Sequence, residues 1–137
     1  MKKVISKDVA LVELEGFINR FVKKPVPVSE MGDAYPDILE GIMDGYVSFG
    51  SDGIPVYKLK FPIKNDAGED SVTEINFRTR IKPTALADIA KGLHPQKEVF
   101  MLQLRMTAFI IDQPVVLLDK LEAYDYDAIS QISGVFS

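Results

Sequence analysis

The stretch Tyr57-Lys58-Leu59-Lys60-Phe61-Pro62-Ile63 alternates apolar and polar side chains with a period of two. That spacing puts Tyr57, Leu59, Phe61 and Ile63 on one face of a strand and the lysines on the other. The pattern returns downstream, where Ile75, Phe77, Thr79 and Ile81 alternate with Glu74, Asn76, Arg78, Arg80 and Lys82. Upstream, Val47 and Phe49 alternate with Tyr46 and Ser48. Gly50-Ser51-Asp52-Gly53 and Asn65-Asp66-Ala67-Gly68-Glu69-Asp70 place turn residues between the three runs. The reading is a three-stranded antiparallel meander over residues 45–82, apolar on one face and charged on the other. Pro62 has no N–H for a ladder, which puts it on an edge or at a strand end.

Outside the meander the period changes to that of a helix. Leu11, Leu14, Phe17, Ile18, Phe21 and Val22 recur at three- and four-residue spacing, predicting a helix over 8–23. Ser6 or Asp8 is placed to cap its start. Lys23 and Lys24 suit its C-terminus, and Pro25 and Pro27 stop it. Residues 1–24 read equally as an arm that docks on a neighbour or as a packed core helix. Residues 25–36, with their prolines and Gly32, read as a linker. A short helix follows over 36–44, with Pro36 in its first turn.

Residues 83–137 read as helical throughout. Pro83 opens a helix capped by Thr84 that stops near Gly92. A second runs from about Pro95 to Ile111, a third over 115–121, and a last over 125–135 with Asp125 as its cap. The 95–111 helix is apolar on nearly every side, so it is expected to be central or to be buried by a neighbouring subunit. Its residues Phe100, Leu102, Met106, Phe109 and Ile110 are the candidates for self-association. The fold class is α+β: one domain of 137 residues, with an N-terminal helix, the meander, and a helical C-terminal half.

Composition narrows the chemistry. There are no cysteines and one histidine, His94, so thiolate metal sites, cysteine nucleophiles and multi-histidine centres have nothing to be built from. His94 reads as a loop residue between helices. The acidic turns lack the spacing of a calcium loop. No phosphate loop or serine elbow is present. The expectation is a chain without cofactor or catalytic activity. No apolar run reaches the length of a membrane span, and no signal peptide follows the basic opening, so a cytoplasmic location is expected.

Charge is blocked by sign. Residues 25–57 carry six acids and no base, whereas 58–82 carry six bases against four acids. Lys58, Lys60, Arg78, Arg80 and Lys82 fall on the polar face of the meander. They read as a solvated sheet face or as a basic surface for an acidic partner. The net charge of −4 and the scarcity of stacking aromatics on that face argue against nucleic acid.

The order of elements from Tyr57 to Phe136 adds a resemblance. The hairpin ending in Ile81 passes straight into Lys82-Pro83-Thr84-Ala85-Leu86-Ala87-Asp88, a long apolar helix follows, and the chain closes with Leu121, Asp125 and Ile129 at four-residue spacing. This resembles the small tail assembly chaperones of long-tailed, Mu-like bacteriophages. The resemblance implies a non-enzymatic protein of the host cytoplasm. It implies binding to the tape-measure protein and to tail-tube subunits before polymerisation, and self-association into an oligomer. The other reading is a generic interaction adaptor that uses the basic face of the sheet.

Overall fold

The computed structural model describes residues 5–23, 26–94 and 96–137. Lys24, Pro25 and Pro95, used above to bound helices, lie outside them. The fold is α+β, with a three-stranded antiparallel sheet and a helical C-terminal half.

Helix α1 (Lys7–Phe21) is capped by Ser6, whose Oγ accepts from Val9 N–H at 3.4 Å. Its stripe Ala10, Leu14, Phe17 and Ile18 is buried. It packs against α3 and α7 and is a core element. A short helix α2 (Val28–Ala34) follows. This corrects the linker reading of 25–36. Pro27 precedes the helix, at a position where no N–H is required. Met31 is fully buried and anchors the segment, and Gly32 lets the Leu39 side chain come within 3.3 Å of where a Cβ would stand. Helix α3 (Pro36–Asp44) ends at Gly45, whose φ of 86° is the left-handed conformation that terminates helices.

Strands β1 (Val47–Phe49), β2 (Pro55–Lys64) and β3 (Asp70–Asn76) form the sheet in that order. Val47 pairs with Tyr57 and Tyr57 with Ile75, which stacks the apolar residues on one face, as the alternation requires. Val47, Tyr57, Leu59, Ile63 and Ile75 are buried there. The hairpin turn is built by Asn65, whose Oδ1 accepts from Ala67 and Glu69 N–H at 3.0 Å.

The third strand is shorter than its alternation suggests. It stops at Asn76, so Phe77–Lys82 are not in the sheet. The cause is local: Arg78 N–H donates to Ile110 O at 2.6 Å, so the backbone leaves the ladder for a helix end. Phe77 still turns inward and reaches Phe136.

Helix α4 (Pro83–Ala90) starts one residue earlier than expected. Lys82 is its cap and Pro83 its first residue, so Thr84 is not the N-cap. His94 lies in the following loop, where its Nδ1 accepts from Gln96 and Lys97 N–H at 3.2 Å. Helix α5 spans Val99–Ile110, α6 Val115–Leu118 and α7 Ala123–Phe136. Glu122, not Asp125, stands at the N-cap of α7. The first and last helices meet in an aromatic cluster, with Phe136 at 5.7 Å from Phe17 and 5.0 Å from Phe21 between ring centres. Among the described residues no helix is long and apolar enough to cross a membrane.

Candidate docking surface on the helical half

Helix α5 is packed along only part of its length. Positions 100, 104, 107 and 111 share one stripe of the helix. At its C-terminal end the stripe is core: Thr107 and Ile111 are buried. One turn earlier Leu104 is half-buried, and at Phe100 the side chain is 66% exposed. The core-facing stripe therefore runs past the edge of the core. Of the two expectations for this helix, central or buried by a neighbouring subunit, the first holds only for its second half, which is packed, while its first half overhangs.

The neighbouring helices also carry exposed apolar side chains. Leu86 on α4, Val99, Phe100 and Met101 on α5, and Val116 on α6 are all exposed. Helix α4 buries Ile89 and little else, and it packs on α5. Between the three helices lies a cleft of about 450 Å³ walled mainly by apolar residues, Ala85, Ile89, Ala108, Phe109, Pro114 and Val115, with Asp88 and Gln113 beside them. Arg105, the lone charged residue of α5, also lines it. Its guanidinium is directed to the end of α4, where Nη1 donates to Lys91 O at 2.8 Å and to Ile89 O at 3.2 Å. That contact satisfies terminal carbonyls and fixes α4 on α5. Exposed apolar side chains near a largely apolar cleft are a common mark of a partner surface.

The five candidate self-association residues divide. Phe100 is exposed, Leu102, Met106 and Phe109 are half-buried, and Ile110 is fully buried in the core. Ile110 is thus a packing residue with no surface to offer.

The basic residues do not form one sheet face, which corrects the second candidate surface. Arg78, Arg80 and Lys82 lie beyond the end of β3. Arg78 clasps the end of α5: its Nε donates to Phe109 O at 2.9 Å, its guanidinium stands 4.6 Å over the Phe109 ring, and it pairs with Asp112. Lys60 places its ammonium 4.5 Å over the Tyr124 ring. Lys58 sits opposite Glu74 in the β2–β3 register. Arg80 and Lys82 are exposed.

One polar site is deeply built. Asp125 is fully buried, and its carboxylate accepts from Tyr57 Oη–H at 2.7 Å and from the Lys60 and Phe61 N–H groups at 3.0 Å each. Two consecutive amides of one strand reach the same carboxylate because β2 is irregular between Lys58 and Ile63. Strand β1 pairs with β2 only as far as Tyr57, so the edge of β2 beyond it is open. Asp125 closes that edge from α7. The sequence reading placed Asp125 at a helix start, and its carboxylate instead serves the sheet.

Burial, followed by the hydrogen bond to Asp125, pushes the Tyr57 phenol well above its ordinary range. Tyr124 is likewise raised, by burial and then by its hydrogen bond to Asp44 at 3.2 Å. Burial, then the charges of Asp127 and Glu40, raises Asp37. These acids and Tyr124 surround a small recess of about 70 Å³. Among the described residues no group of three or more His, Cys, Asp or Glu is placed to hold a metal ion.

Comparison with protein-family models, with curated proteins and with solved structures gives no match.

Proposed function

We propose that this chain is a non-catalytic assembly chaperone that holds an apolar helical segment of a partner in the α4–α6 cleft. The observation that carries the reading is the overhang. Three helices present Leu86, Val99, Phe100, Met101 and Val116 to solvent, and the cleft between them is walled by apolar side chains together with Asp88, Arg105 and Gln113. A chaperone of a long apolar helix needs such a surface, held by a domain whose own core is complete without it. The ordered motifs from Tyr57 to Phe136 support a phage tail as the setting, with a tape-measure-type protein as the held chain and tail-tube subunits as the second partner. The motif residues support the scaffold: Asp125 and Ile129 are fully buried, and Asp88 stands at the cleft wall. The proposed site of action is the host cytoplasm.

Co-expression of the tagged chain with the genes that flank its own tests this. The expected result is co-purification of a long helical tail protein or a tail-tube subunit. Leu86→Asp with Val116→Asp removes that partner without changing the circular dichroism spectrum. Undiminished recovery by the double variant contradicts the cleft reading. An acidic partner lost on reversing Lys58, Arg80 and Lys82 returns the chain to the adaptor reading.

A further inference from the structure

Helix α4 is the least anchored wall of the cleft. Of its eight residues only Ile89 is buried. Its main packing partner is α5. Among the described residues, the hydrogen bonds that tie it to a distant part of the chain come from Arg105, to Ile89 O and to Lys91 O just past its end. The other bonds at its two ends are local, from Ala85 and Leu86 N–H to Lys82 O and from Lys91 N–H to Asp88 O. An element with so little buried surface opens at lower cost than the fold as a whole.

Both ends of α4 are built as joints. Before it, Ile110 O holds the Arg78 N–H and Ile81 packs on the core, so the chain is anchored almost up to Lys82. Lys82 is exposed and extended, with ψ of 148°, directly before Pro83. After the helix, Lys91 leaves the helical conformation with ψ of 128°. Gly92 is exposed at φ of 79°, with nothing within 4 Å of where its Cβ would stand. Exposed residues that bound one short rigid element are the usual makings of a hinge. On α5, Met101, Arg105 and Ala108 share one stripe at four- and three-residue spacing. Arg105 and Ala108 line the cleft, and Ala108 is 2% exposed. A helix about 10 Å across fills roughly 420 Å³ per turn, so a cleft of about 450 Å³ takes about one turn of it. One turn covers little of a long helical partner.

We propose that α4 is a hinged lid on the cleft, latched by Arg105, and that it swings from α5 about Lys82 and Gly92 to lengthen the cleft toward Met101. The opening is a property of this chain alone, whereas its use, the admission of an apolar helix, rests on the cleft reading above. Closed, the lid covers the Ala108 end of the stripe. Open, the stripe from Met101 to Ala108 joins the exposed Val99 and Phe100 in one track along α5. The cost of opening lowers the apparent affinity for whatever the track receives, so a weaker latch tightens binding.

The absence of cysteine makes the test direct. Ala108→Cys places a thiol under the lid, and Ala10→Cys, fully buried on α1, is the control that global unfolding alone uncovers. Each is treated with an aromatic disulfide, which forms a mixed disulfide and releases a coloured thiolate. The Ala108 variant is expected to react at least about tenfold faster than the Ala10 variant, with little dependence on dilute urea where the control depends steeply. Arg105→Met keeps the stem and removes the donors, and it is expected to speed the Ala108 thiol about tenfold. Tyr57→Phe weakens the sheet and leaves the latch intact, so it is expected to speed the Ala10 thiol and not the Ala108 thiol. Spin labels at the exposed Ala87 and Gln103 give a second measurement that leaves the buried positions untouched. A longer-distance population is expected there, and it grows in Arg105→Met. Equal reactivity of the two thiols overturns the lid, as does an Ala108 thiol that ignores Arg105→Met or follows Tyr57→Phe, or a single label distance unchanged by Arg105→Met. These readouts use the chain alone, so a partner that Leu86→Asp with Val116→Asp fails to remove overturns the cleft reading and not the lid.

Discussion

Replacing Asp125 by alanine removes one carboxylate and leaves three donors without it: the buried Tyr57 hydroxyl and the partly buried Lys60 and Phe61 amides. A hydrogen bond to a charged acceptor contributes about 1.5–3 kcal/mol net. The three do not simply add, because the variant also escapes the cost of burying a carboxylate, which is several kcal/mol. Each donor left without a partner costs about 1–3 kcal/mol, and after that offset a net loss of about 3–5 kcal/mol is expected. Against a domain stability of about 5–15 kcal/mol the variant remains folded but marginal. Its Tm is expected to fall by roughly 10–15 °C for a chain of this size. Tyr57→Phe removes one donor and leaves the carboxylate its two amides, so it is expected to cost about 1–2 kcal/mol. Asp125→Asn should fall between the two, since one amide of β2 then faces an NH₂ group. Urea denaturation followed by circular dichroism measures all three. A loss under about 1 kcal/mol for Asp125→Ala, or a larger loss for Tyr57→Phe, would refute the assignment of Asp125 as the closure of the β2 edge.

Three further outcomes follow from named contacts. Arg78→Glu is expected to cost about 1–2 kcal/mol, because it removes the hydrogen bond to the end of α5 and the cation above Phe109. Arg80→Glu should stay within about 0.5 kcal/mol, and equal effects from the two would remove Arg78 from any structural role. Gly41→Ala would set a Cβ 2.7 Å from Val47 Cγ2, which is expected to cost about 1–3 kcal/mol before a helix-propensity gain of about 1. Adding Val47→Ala should recover part of that loss, and no recovery would place the strain elsewhere. In alkali the raised Tyr57 and Tyr124 phenols hold their protons more tightly folded than unfolded. Stability at these sites is therefore fully present below the ordinary tyrosine pKa of about 10 and is lost as pH rises above it. Absorbance of phenolate should show both ionising together with unfolding, and their ionisation in the folded protein would contradict the burial argument.

The sheet was legible because its residues alternate with a strict period of two and its turns carry Gly, Asp and Asn. Tyr57, Leu59, Ile63 and Ile75 face inward as that period requires, whereas Phe61, expected on the same face, is exposed where β2 is irregular. What ended the third strand was invisible to periodicity. Phe77 to Lys82 keep alternating, but Ile110, 32 positions away in the chain, takes the Arg78 amide. The α2 helix was hidden by Pro27, Gly32 and Pro36, which deter a helix in general but here stand before it, at a close contact and after it. The uniform apolarity of α5 was read as a central place or as burial by a neighbouring subunit. The same composition also describes a helix that leaves the core halfway along, and only the packing of its neighbours separates the two. Asp125 carried a local signal, its place in the first turn of a helix, that masked a long-range one. The alternation of Lys58, Lys60, Arg78, Arg80 and Lys82 predicted a shared face, and the end of β3 at Asn76 dispersed it.

The central claim is that the α4–α6 cleft, and not the sheet, receives the partner. A photo-crosslinking amino acid placed at Leu86 on the cleft side, and separately at Lys58 on β2, tests it in cells that express the neighbouring genes. The account predicts covalent capture of a long helical tail protein from position 86 and none from position 58. Capture from position 58 alone would contradict it and move the interface to the sheet.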